Sequence, residues 1–142
     1  MSEPAPGFRR YPDHRVDIVP TEDHVRVFVG MPAGKLLLAD SRRPLRVEES
    51  RHDTVWYLPL ADVAREHLSA TDHTTYCPFK GHARYWTITA GESPLENAVW
   101  AYPEPYQECL PLADHVAFYT DRVALEVNGD PQPGDGDGDG DG

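Results

Sequence analysis

The residues best equipped for chemistry fall in one short run, Thr74-Thr-Tyr-Cys77-Pro-Phe-Lys80-Gly81-His82. A thiol, then Pro, then Lys three residues on, then Gly, reads as a tight turn between two strands. An ammonium close to a thiol favours the thiolate. Cys77 is therefore a candidate nucleophile or redox centre, with Lys80 lowering its pKa and Asp40 or Glu48 carrying the proton. Lys80 could equally clamp an anion, and Gly81 would let a ligand approach the backbone. The plain alternative is a buried Cys filling a core gap beside a turn whose Lys is solvated.

A second candidate is the corner Ala39-Asp40-Ser-Arg-Arg43-Pro. Asp40 and Ser41 can fold the chain through side-chain-to-backbone bonds. Arg43 could pair with Asp40 or with Glu48. A functional version aims the Asp or the Arg into a pocket; the ordinary one is a turn with surface ion pairs of little energetic weight. A third group is aromatic. Core is the default for Trp56, Tyr57, Tyr76, Tyr85, Trp86, Trp100, Tyr102 and Phe118 alike. Tyr57, Trp100 and Tyr102 have polar tips that could face a ligand instead.

Other chemistries lack their signatures. His73, Cys77 and His82 lie near one another, but paired Cys-x-x-Cys or His-x3-His spacings are missing, so no metal is expected. There is no Gly-x-Ser-x-Gly elbow, no phosphate loop and no Gly-x-Gly-x-x-Gly, and no cofactor is expected. Asp135, Asp137, Asp139 and Gly140 match the opening of a calcium loop, but its bidentate Glu is missing. The chain has 142 residues and a net charge of −11, which argues against neutralising phosphates of nucleic acid or docking on an anionic membrane. Five of the 24 acidic residues lie beyond residue 129, leaving 19 against 13 basic. The body of the chain is thus only mildly acidic. No run approaches a spanning helix, no secretion signal is expected, and Cys77 and Cys109 are too few for a disulfide framework. A cytoplasmic protein is expected.

The elements that must position these residues are short. Val25, Val27 and Val29 alternate with Arg26 and Phe28, and Leu45 to Glu48 resumes the alternation. Further strands are read at 35–39, 54–58, 84–89, 98–102, 116–119 and 123–127, with Pro and Gly between them. One helical connector is read over Leu60 to Leu68, opened by Pro59. Residues 1–23 read as an irregular leader, 24–129 as a single β domain and 130–142 as a disordered Asp-Gly tail. Many short strands argue an all-β sheet or open barrel.

These segments resemble the domain of unknown function 427 family. The matching pieces are Gly34-Lys-Leu-Leu-Leu-Ala-Asp40-Ser-Arg-Arg43, Leu45 with Glu48, Trp56-Tyr57-Leu-Pro59, Asp62-Val63 and Leu68. They continue through Thr75-Tyr-Cys77-Pro-Phe-Lys80-Gly81-His-Ala83-Arg-Tyr85-Trp86, Ala98-Val-Trp100-Ala-Tyr102-Pro-Glu-Pro105 and Val116-Ala-Phe118-Tyr119. The resemblance implies an all-β domain of the β-tent type, with two antiparallel sheets around a pocket and a short helical segment over it. Some β-tent relatives bind zinc through paired cysteines, which this sequence lacks. The family has also carried a nucleotidyltransferase-like label. That chemistry needs paired carboxylates for Mg²⁺ near a Gly-Ser turn, and no Gly-Ser or Asp-x-Asp occurs within the domain.

Three functions follow as expectations. The first is a binding module for an unknown small molecule, with Asp40, Arg43, Glu48, Tyr57, Lys80, Trp100 and Tyr102 around one cavity. The second is an enzyme built on Cys77 and Lys80. The third is a homodimer formed through sheet edges.

Overall fold

A computed structural model describes residues 3–31, 34–91 and 93–132. The chain opens with one helical turn, α1 (Gly7–Arg10), and β1 (Val16–Pro20). There follow β2 (Val25–Met31), β3 (Gly34–Ser41), β4 (Leu45–Glu49) and β5 (Val55–Pro59). After two 3-10 turns come β6 (Leu68–Cys77), β7 (Gly81–Ile88) and β8 (Leu95–Ala101). A further 3-10 segment (Gln107–Leu112) leads to β9 (His115–Phe118), β10 (Ala124–Val127) and β11 (Asp130–Pro131).

The protein is all-β. Among the described residues the strands form two sheets, in the orders β1-β4-β5-β9-β8-β7-β6 and β11-β10-β2-β3. Every pairing is antiparallel. Val25, Val27 and Val29 of β2 pack with Leu58, Ile88, Val99 and Val116 of the larger sheet. On β8, Val99 and Ala101 join this cluster, while Trp100 belongs to a second one with Leu45, Val47, Tyr57, Cys77, Tyr85, Tyr102, Cys109 and Leu112. Successive residues of a strand point to opposite faces, so β8 is covered on both sides. That explains its unbroken buried run from Ala98 to Ala101.

Three expectations need correction. Residues 60–68 are not one helix. Leu60–Asp62 and Arg65–His67 are separate 3-10 turns, and between them Val63 is extended and bridges Ala39 of β3. A β-branched residue held in that bridge stops a continuous helix. The stretch before residue 24 is not irregular throughout, because β1 pairs with β4. Its Pro20 is tolerated because β1 is an edge strand. Asp130–Pro131 form β11 against β10, so the ordered domain runs past residue 129. The rest of the tail, 133–142, lies outside the described residues.

The other edge of the large sheet, β6, carries a polar row and a register shift between Ala70 and Thr74. Both features discourage pairing with another chain. Among the described residues no helix is long and apolar enough to cross a membrane.

Candidate functional site

The Cys77–Gly81 segment is the turn between β6 and β7. Lys80 N–H donates to the Cys77 carbonyl at 3.3 Å, and Tyr106 N–H donates to the Lys80 carbonyl at 3.0 Å. Gly81 has φ +121°, and a Cβ there would lie 3.3 Å from the Glu104 carbonyl oxygen. A side chain at this position is strained by both the backbone and the space.

This turn carries Lys80 inward. Its side chain is 2% exposed, and the ammonium donates to Oε1 of Glu49, which is 7% exposed. The ammonium also lies 5.9 Å from the centre of the Tyr102 ring. Glu49 reaches this interior by strand parity: Leu45 and Val47 face the core, and Glu49 is next on the same side. Its other oxygen, Oε2, meets Nε2 of His14 at 2.8 Å. The pairing of Val16 with Glu49 fixes that approach, because His14 lies two residues before Val16.

Lys80, Glu49 and His14 thus form a line of polar groups from the core outward. Burial of the Glu49 carboxyl favours its protonation. The Lys80 charge and hydrogen bond, helped by the His14 hydrogen bond, outweigh that and hold it below the ordinary carboxylate range.

At the outer end, the His14 ring stacks on Phe79 with centroids 3.9 Å apart and planes 16° apart. Phe8 packs edge-on to Phe79 with ring centroids 4.9 Å apart. The leader is held here by Gly7, whose N–H donates to the Pro78 carbonyl at 2.9 Å. A Cβ on Gly7 would lie 2.6 Å from the Phe79 ring, so only glycine permits this approach. His14 and Phe79 then form part of the wall of an open hollow of about 670 Å³, completed by Arg10, Tyr11, Pro12, Asp13, Ser50 and Arg51. Three chain segments meet there: the leader, the β4–β5 turn and the β6–β7 turn.

The structure brings Cys77, Lys80, Tyr57, Trp100 and Tyr102 together but packs them as core. Trp100 Nε1–H donates to the Tyr57 hydroxyl at 3.0 Å, and both residues are at most 2% exposed. Burial pushes the Tyr57 phenol well above its usual range, opposed by that indole donor. The expectation that these aromatics line a cavity is therefore corrected: the polar tips of Tyr57 and Trp100 satisfy one another inside the core, and Tyr102 is fully buried in the same cluster.

The Asp40 corner lies elsewhere. Asp40 pairs with His24 at 2.7 Å and is 45% exposed. Arg43 pairs with neither Asp40 nor Glu48 but with Asp62, at 3.2 Å, where Ser41 Oγ–H also donates to Asp62 at 2.7 Å. Glu48 points to the outer face and accepts from Thr54 while pairing with Arg46. Asp40, Arg43 and Glu48 therefore do not share a cavity with Lys80. Reasoning from the sequence missed Glu49, His14 and Phe79. The Leu45–Val47 alternation was the available signal for Glu49; nothing local marks His14.

Cys77 is 1% and Cys109 0% exposed, and both are free thiols. Burial pushes the Cys109 thiol up to about 12. The Lys80 ammonium is engaged by a carboxylate. Iodoacetamide is expected to leave both cysteines unmodified in the folded protein and to label both after denaturation, as read by intact mass. Rapid native labelling at Cys77 would restore the nucleophile as a serious candidate.

A two-sheet all-β domain with a buried lysine–carboxylate pair behind its Cys-Pro-Phe-Lys-Gly turn is the class these features define. Residues 17–129 match the profile of a family described as "Domain of unknown function (DUF427)". The chain belongs to that family. No curated protein matches it. Arg10 to His14, on one side of the hollow, precede the matched span.

Proposed function

We propose that the protein binds a small molecule in the hollow between its leader and the β4–β5 and β6–β7 turns. One observation carries this reading. The Cys77–Gly81 turn places Phe79 in the wall of the hollow and Lys80 behind it, where Lys80 holds Glu49 and Glu49 holds the His14 ring that stacks on Phe79. Burying an ion pair is a costly way to gain stability, and apolar packing would commonly do as well. A pair that instead orients a ring at a cavity wall has a positional role. The hollow combines aromatic surface with a few polar groups, the usual make-up of a ligand site. The Cys77 enzyme reading is less favoured because the thiol is enclosed. The two free, buried thiols support a reducing compartment, and the reading places the protein in the cytoplasm.

The test is a thermal-shift screen of a metabolite library against the wild type and Tyr11→Ala. Tyr11 is 54% exposed, so its truncation leaves the core intact. At least one compound is expected to raise the wild-type Tm and to lose that effect in the variant; saturation at 100-fold above Kd is worth about 2.7 kcal/mol. No shift from any compound at millimolar concentration, or shifts indifferent to Tyr11, would remove the reading.

A further inference from the structure

We infer that the hollow takes a planar ring bearing an anionic group, an aryl carboxylate or aryl phosphate; this rests on the binding role proposed above. The wall supplies flat surface of the right kind. Phe79 and His14 are stacked, and Tyr11 lies 6.4 Å from Phe79 by ring centroids. A planar ligand gains contact with such rings at little cost in ordering.

The charge of the lining points the same way. Arg10 and Arg51 are set against one carboxylate, Asp13, in a chain whose net charge is −11. Neither guanidinium is drawn into an ion pair among the described residues. Arg10 instead lies over the Tyr11 ring at 5.7 Å. Lys80 and Glu49 neutralise each other in the interior and leave the two arginines to set the sign of the mouth. Arg51 also holds φ 66°, a left-handed conformation that non-glycine residues seldom adopt. That conformation sits at the tip of the β4–β5 turn, on the rim of the hollow. Guanidinium forks suit carboxylate and phosphate oxygens better than an ammonium does.

The experiment records amide chemical shifts of the full chain against five probes: benzoate, phenyl phosphate, benzyl alcohol, benzylamine and butyrate. Benzoate and phenyl phosphate are expected to move the resonances of His14, Phe79 and Arg51, and the other three to bind at least about tenfold more weakly. The double variant Arg10→Gln/Arg51→Gln is expected to remove that preference. It is also expected to flatten the salt dependence of benzoate binding, with both substitutions on exposed side chains. Equal binding of benzyl alcohol or benzylamine at the same residues overturns the anionic class while leaving the hollow as a binding site. Butyrate as strong as benzoate overturns the requirement for a ring. Silence from all five probes at these residues overturns this inference together with the binding role beneath it.

Discussion

Replacing Glu49 with Gln is expected to lower stability by about 3–5 kcal/mol, the range for removing one member of a buried ion pair. The side chains differ little in size, so packing changes little. What changes is that the Lys80 ammonium, 2% exposed, loses its counter-charge and cannot reach water. The double variant Lys80→Met/Glu49→Leu removes both charges and is expected to recover most of the loss. Urea denaturation of the three proteins measures this. A cost below about 1 kcal/mol for Glu49→Gln would mean that the pair is hydrated and behaves as a surface bridge. The pH dependence has a definite sign. The Glu49 pKa is lower in the folded state than its ordinary 4.5, so its contribution is complete above that value. It is lost as pH falls through the folded value. Acid unfolding below about pH 4.5 is therefore expected to be steeper in the wild type than in the double variant.

Trp100→Ala is expected to cost about 3–5 kcal/mol. Trp100 touches Tyr57 edge-on at 6.1 Å and Tyr119 at 4.4 Å, and it is 2% exposed. Its removal leaves a void and strips the Tyr57 hydroxyl of its donor. Tyr57→Phe separates the two effects. It keeps the ring but leaves the indole N–H unpaired, at about 1–3 kcal/mol. Equilibrium unfolding with intrinsic fluorescence and circular dichroism reads both. If Trp100→Ala proved nearly neutral, these aromatics would border open space rather than fill the interior, and the proposed binding site would move to them.

The sheet framework was legible because its signals were local. The Val25–Val29 alternation became β2, and the aromatic, β-branched 54–58 run became β5. Strand β6 was illegible by hydropathy, since Ser69 to Thr75 is almost wholly polar on an exposed edge. The motif turn is legible, but of the carboxylates expected near it, Asp40 and Glu48, neither arrives; Glu49 does. Alternation that puts Leu45 and Val47 inward sends Glu48 outward and Glu49 in. His14 was illegible for a different reason. Its role comes from a contact 35 positions away, made by strand pairing that a Pro-rich opening conceals.

The way the opening segment is laced down bears on how the protein is handled. Glu3 accepts from Gln107 N–H, Ala5 N–H donates to Glu108, and Gly7 N–H donates to Pro78. An expression fragment trimmed to 17–129, the span suggested by the family profile, would retain nearly every strand and give reassuring spectra. It would nonetheless have amputated five of the eight residues that line the hollow, His14 among them. Under the proposed binding role, screening such a fragment would return false negatives.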